Sequence, residues 1–181
     1  MTRRWRILVL GLLGLVVLIL GTRPVGAAGP WRGQVIDAET GQPLEGVIVV
    51  AVWDKLSPGV IHPGRDFHDA LEVVTDSEGR FIIPARSLTT LNPFVSFEPR
   101  SLVFFKSAYT WSGIRNVPLY TSRDEIWKLM EKDSATFELR PLRTKQERLN
   151  ALRRPGDVPD SLIPRYLDAY GAESVQLGLK P

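Results

Sequence analysis

Two short stretches constrain this chain more than anything else in it: GQVIDAETGQPLEGVIVVAV from Gly33 to Val52, and VVTDSEGRFIIP from Val73 to Pro84. In the first, Gly41 and Pro43 punctuate two β-branched runs, Val35–Ile36 and Val47–Val50, whose stiff side chains suit a pleated, buried surface. The second repeats that logic around Asp76-Ser77-Glu78-Gly79. Both read as strand, tight turn, strand, which is the raw material of layered sheets.

Extending the reading along the chain, Trp31–Asp37 forms a first strand and Gly46–Asp54 a second, apolar on both faces and therefore central. Lys55–Ala70, rich in Pro, Gly and charge, reads as a loop. Leu71–Asp76 and Arg80–Pro84 are expected to pair as a hairpin across Ser77-Glu78-Gly79, with Phe81 and Ile83 on one face and Pro84 ending the strand. Leu102–Thr110 reads as one further buried strand. Ala135–Pro141 alternates: Ala135, Phe137 and Leu139 inward, Thr136, Glu138 and Arg140 outward, closing the domain.

Short helices interrupt and follow these strands. Ser122-Arg123-Asp124-Glu125 has the spacing of a capping box, in which a hydroxyl and a carboxylate satisfy amides at a helix start, and Ile126, Leu129 and Met130 then share a face. A second box, Thr144-Lys145-Gln146-Glu147, opens a helix that turns Leu149 and Leu152 toward the protein and stops at Pro155-Gly156. From Asp160 to Tyr170, Leu162, Tyr166, Leu167 and Tyr170 fall at helical spacing, with Pro164 tolerable only in the first turn. These helices are expected to pack on the sandwich.

Ahead of all this, Arg3, Arg4 and Arg6 precede an apolar run from Ile7 to Leu20 and the small residues Val25-Gly26-Ala27-Ala28, the layout of a secretory leader. Fourteen apolar residues fall short of the ~20 a bilayer-crossing helix needs, which favours cleavage after Ala27 or Ala28 over an uncleaved anchor. No cysteine follows the run for lipid modification, and Arg3-Arg4 reads as an ordinary charged flank. The leader also carries the basic excess. It holds Arg3, Arg4, Arg6 and Arg23 of the 23 Lys and Arg and none of the 20 Asp and Glu, leaving 19 against 20, or −1. A nucleic-acid partner is therefore not implied. With no cysteine there is no disulfide, so apolar burial alone must hold the fold.

The order of residues resembles the carboxypeptidase regulatory-like (transthyretin-like, prealbumin-type) domain family. Gly33, Val35, Asp37, Thr40, Gly41, Pro43, Leu44, Gly46, Val47 and Val49 fill its G-x-V-x-D-x-x-T-G-x-P-L-x-G-V-x-V opening, and Thr75, Asp76, Gly79 and Phe81 its T-D-x-x-G-x-F continuation. The match covers Trp31 to Pro84 and weakens toward Leu139. It implies an all-β fold: an antiparallel Ig-like or prealbumin-like β-sandwich with short accessory helices and a C-terminal helical tail. The expected divisions are a leader over residues 1–27, the sandwich over 28–142 and the helical extension over 143–181. Against the family, Lys55–Ala70 reads as an insertion. The zinc peptidases that carry such domains use an H-x-x-E pair, whereas His62 and His68 are followed by Pro63-Gly64-Arg65 and Asp69-Ala70-Leu71. The related 5-hydroxyisourate hydrolases end in Tyr-Arg-Gly-Ser, whereas this chain ends Gly178-Leu179-Lys180-Pro181.

Residues with ligand chemistry remain. His62, Asp66, His68 and Asp69 lie close together in sequence and offer imidazole and carboxylate donors for zinc or copper, although the plainer reading is a polar connection. Asp76 and Glu78 could serve calcium, but two carboxylates in a turn are ordinary turn chemistry. Tyr109, Trp111 and Tyr120 could stack on sugar rings, against a plainer role as core aromatics. Arg143, Lys145, Arg148, Arg153 and Arg154, interspersed with Glu147, read as a solvated face. Ser57, Ser77 and Ser107 each lack a histidine at persuasive spacing.

The sequence thus points to a noncatalytic module, exported to the periplasm or cell exterior, that contacts an envelope or secreted protein. The alternatives are a carbohydrate-binding module using Tyr109, Trp111 and Tyr120 on a polysaccharide, and a small hydrolase with a site not visible in sequence. No cofactor is implied, and a membrane enters only through an uncleaved leader.

Overall fold

The computed structural model describes residues 27–59, 64–87, 92, 94–117, 121–133 and 135–179. Residues 1–26 of the leader, His62 and Tyr120 lie outside them. Strands β1 (Ala27–Ala28), β2 (Trp31–Asp37), β3 (Ile48–Ser57), β4 (Gly64–Val74), β5 (Arg80–Ile83), β6 (Arg86–Ser87), β7 (Ser96–Phe105) and β8 (Tyr109–Ile114) are followed by helix α1 (Arg123–Glu131) and strand β9 (Ala135–Pro141). Helix α2 (Lys145–Ala151), a 3-10 turn (Asp160–Leu162) and helix α3 (Pro164–Gln176) complete the order. One sheet runs β5-β2-β9-β8, a second β4-β3-β7, and β1 forms a short ladder with β6.

Strand β3 explains the layering. Every residue from Ile48 to Asp54 is buried, and alternate side chains go to different places. Val49, Ala51 and Trp53 join the core between the sheets, while Ile48, Val50 and Val52 join a second cluster with Phe105, Ile163 and Tyr166. The three-stranded sheet is therefore packed on both faces, by strands on one side and by α3 on the other. Each large side chain buried this way contributes about 1.5–3 kcal/mol.

The resemblance motifs work as internal bracing. Gly33 stands where a Cβ would come within 2.7 Å of Phe81 and 2.9 Å of Phe137, so the two rings close over its bare backbone. Gly79 has φ +69°, and a Cβ there would meet the Val35 carbonyl at 2.3 Å. That approach lets the Gly79 carbonyl accept from Val35 N at 2.8 Å, tying the second motif to the first.

Several expectations hold: β2, β9 and both capping boxes form where expected, and α3 begins with Pro164 in its first turn. Others need correction. The stretch Lys55–Ala70 is not all loop, because β3 runs to Ser57 and β4 begins at Gly64; β4 is an edge strand, so its polar residues face solvent. The expected hairpin partners diverge instead. Gly79 N donates to Asp76 O as a turn, but β4 pairs with β3 in one sheet and β5 with β2 in the other, making the turn a corner between layers. Leu102–Thr110 is two strands, split at Lys106-Ser107-Ala108, with Ala108 at φ 60°. The sandwich is not wholly antiparallel either, since β9 lies parallel to β2 with Val35 opposite Phe137. On α1, Met130 is fully buried as expected, and Trp127, also buried, meets Trp31 edge-on at 4.8 Å.

Candidate functional site

The polar residues of the two motifs are spent on the frame. Asp37 is 6% exposed and accepts from Glu39 N at 2.8 Å, Thr40 N at 2.9 Å and the Tyr109 hydroxyl at 3.0 Å. The Thr40 amide first, then that of Glu39 and the Tyr109 hydroxyl, hold its carboxyl below the usual range against burial. Thr75 donates to the Leu44 carbonyl at 2.6 Å and accepts from Val47 N at 2.9 Å. Asp76 accepts from the amides of Glu78 and Arg80, which fixes the corner.

Of the residues considered as metal ligands, His62 is not among those described. The His68 ring lies 4.2 Å from that of Phe97, and Asp69 is engaged by Arg86 at 3.0 Å. Asp66 is exposed opposite Lys55. In the turn, Glu78 is drawn to Arg80 at 2.6 Å and Asp76 to the same guanidinium at 3.4 Å. Among the described residues no group of three or more His, Asp or Glu is arranged to hold a metal ion.

The aromatic candidates separate. Tyr109 packs against the inter-sheet core with its hydroxyl on Asp37, and burial raises its pKa. Trp111 is 55% exposed on the edge strand β8, where its indole Nε1 donates to Gly113 O at 3.1 Å. That bond pins the ring while leaving much of it open. Beside it is a depression of about 160 Å3 lined by Trp111, Ile114, Val117, Ile126 and Glu138. A larger groove of about 560 Å3, bordered by Lys128, Leu129 and Lys132, shares Val117 and Thr121 with it. Tyr120 is outside the described residues.

Among the three serines considered, Ser107 has a carboxylate in reach. Its hydroxyl donates to Glu173 Oε2 at 2.5 Å. Glu173 is 3% exposed and receives Arg148 Nε and Nη2, each at 2.7 Å. Arg148 first, then Ser107, hold that carboxyl below the usual range, which makes it a poor base for activating the hydroxyl. The triad instead clasps α2 and α3 to the β7–β8 turn. Nearby, Arg143 pairs with Glu39 at 2.5 Å and Arg154 with Asp160, so much of the basic surface is locally neutralised.

Sequence reasoning missed a second polar cluster. Asp54 is fully buried at irregularities in the β3 ladders, with Arg65 Nη1 3.0 Å from Oδ2 and Arg100 Nη1 3.3 Å from Oδ1. The Arg100 contact has ion-pair distance without hydrogen-bond alignment. Arg100 reaches on to Asp157 at 2.5 Å. A charge inside an otherwise apolar strand was the available signal, but its partners come from distant segments.

Another cleft, about 630 Å3, is lined by Arg32, Gln34, Val74, Arg80, Ile82 and Asp133, among others, and joins no nucleophile to a base. Among the described residues no helix is long and apolar enough to cross a membrane. Comparison with family models, curated proteins and solved structures gives no match to this chain.

Proposed function

We propose that this chain is a noncatalytic, exported β-sandwich module of the carboxypeptidase regulatory-like, Ig-like or prealbumin-like kind that contacts a protein of the cell envelope. The observation that carries the reading is Trp111: an aromatic ring pinned at its indole nitrogen, half open on an edge strand, beside a depression of mixed polarity. A large, rigid side chain gives contact area at low entropic cost, and aromatics are enriched where proteins meet. The absence of a spare polar set in the motifs supports binding over catalysis, since Asp37, Thr75 and Asp76 are each committed to bracing. Capture from an envelope extract, with Trp111→Ala as control, tests it. A partner held by the native chain and lost from the variant is expected; equal capture by both removes Trp111 from the interface.

Trp111 also favours a second reading, stacking on a sugar ring. Trp31, Trp53 and Trp127 are buried, so in a chain lacking the leader and its Trp5 a polysaccharide-induced change in tryptophan emission reports chiefly on Trp111. No response across common polymers retires that reading.

A further inference from the structure

We infer, on the sugar-stacking reading of Trp111, that the ligand is an acidic polysaccharide, one ring laid on the indole and its acid groups met by Lys128 and Lys132. The depression beside Trp111 and the groove along α1 share Val117 and Thr121, so together they form one trough. Ile126 borders the Trp111 end and Lys132 the far end, six residues or about 9 Å of helix apart. That length suits an extended ligand over a single small ion.

Charge selects the class of polymer. The ionisable side chains lining the trough are Glu138, Glu125, Lys128 and Lys132. Both carboxylates are spent within the protein. Glu138 receives Arg115 Nε at 2.8 Å, and Glu125 accepts from the Ser122 amide and hydroxyl at 2.9 and 2.8 Å as half of the capping box. The lysines are not spent. Lys128 feels the field of Glu125 without pairing with it, and Lys132 has no ionic partner among the described residues. The C-terminal end of α1 favours a cation. Two of them four residues apart on one stripe repel each other, and an anion in the groove relieves that repulsion.

The surroundings of the ring favour sugar over an acidic protein segment. Its nitrogen is committed to Gly113 O, so the indole offers its face and no donor. Ser112, Thr121 and Glu138 stand in the same depression. A protein anchor binds best in a dry, fully desolvated pocket, whereas a sugar lays a C–H face on the ring and turns hydroxyls to a polar rim.

Calorimetry on the full-length chain in neutral detergent tests this with oligogalacturonate and oligomannuronate, a neutral oligoglucan of equal length, and polyglutamate. One or both uronates should bind roughly tenfold more tightly than the glucan, and more weakly as salt rises. Trp111→Ala and the pair Lys128→Gln with Lys132→Gln should each weaken that binding roughly tenfold, with unchanged melting, while Lys128→Arg with Lys132→Arg retains it. Equal affinity for uronate and glucan, both lost in Trp111→Ala, overturns the acidic preference and leaves sugar stacking standing. Uronate binding that Trp111→Ala leaves intact, or polyglutamate binding as tightly as uronate, overturns the inference by making the trough a general anion surface or a protein site. No heat with either uronate or with the glucan removes the inference and the sugar reading together.

Discussion

The two faces of β3 are covered by different materials, and the difference shows how each layer is held. On the inner face, Val49, Ala51 and Trp53 meet strands of the other sheet and α1, within a core rich in rings: Trp31, Trp53 and Trp127, then Phe81, Phe104 and Phe137. Area does almost all the work there, and the indole nitrogens of Trp31 and Trp53 are left without hydrogen-bond partners. On the outer face, Ile48, Val50 and Val52 meet a single helix clipped down by charge. Glu72 holds its start, Arg148 and Ser107 hold Glu173, and Arg100 links buried Asp54 to Asp157 ahead of it. An inner layer specified by strand alternation thus carries an outer layer specified by long-range polar contacts.

The sharpest way to break this comparison is to remove residues 164–181. If α3 is a true layer, its loss strips Tyr166 and uncovers Ile48, Val50, Val52 and Phe105, costing on the order of 6 kcal/mol. The melting temperature should then fall by roughly 15 °C, or the chain should aggregate. An unchanged melt would make the helix a detachable arm. Next in size, Phe137→Ala opens the inner core and should cost about 3–5 kcal/mol, read from a urea midpoint that moves with little change in slope. A smaller loss than from deleting the helix fits two layers of comparable weight; a larger one makes the outer layer secondary.

The same division marks what the sequence made legible. Strand β2 lies where its β-branched run ahead of Gly41 puts it, and β9 where alternation does, because a period of two reports which side chains face inward. It does not report partners. The turn at Asp76–Gly79 was visible, yet its flanking strands enter different sheets, and nothing local in Ala135–Pro141 announces a parallel neighbour in β2. Of the candidate aromatics, Tyr109 and Trp111 are two residues apart, but only Tyr109 has a buried acceptor to close on. Ser107 looked isolated because its partners, Arg148 and Glu173, lie 41 and 66 residues away.

That clasp yields the third test. Arg148→Met leaves Glu173 buried without its cation and should cost about 2 kcal/mol at neutral pH. Because Arg148 and Ser107 depress the Glu173 pKa in the folded state, the stabilisation is fully present above the ordinary value of 4.5 and is lost as pH falls below it through the folded-state value. The gap in urea midpoint between the native chain and Arg148→Met is therefore expected to hold from pH 8 to 6 and narrow in acid. A gap that persists unchanged to pH 3 would show that attraction to an ionised Glu173 is not what fastens the outer layer.

The smallest effect isolates the clip at the helix start. Helix α3 has Ile163 in the capping position, which offers no side-chain acceptor, and Pro164 next, which removes one amide from need. The following amides, Arg165 N and Tyr166 N, donate instead to Glu72 Oε1 at 2.9 Å and Oε2 at 3.1 Å, so a carboxylate on β4 caps a helix 93 residues later. Both the hydrogen bonds and the positive end of the helix dipole favour a charged acceptor there. Glu72→Gln keeps the shape and one acceptor while removing the charge, and should cost about 1 kcal/mol. Hydrogen exchange should quicken at Arg165 and Tyr166 while Val35 and Phe137, deep in the inner sheet, exchange as before except through global unfolding. If protection falls equally in both layers, the faces of β3 do not respond separately and the two-material description fails.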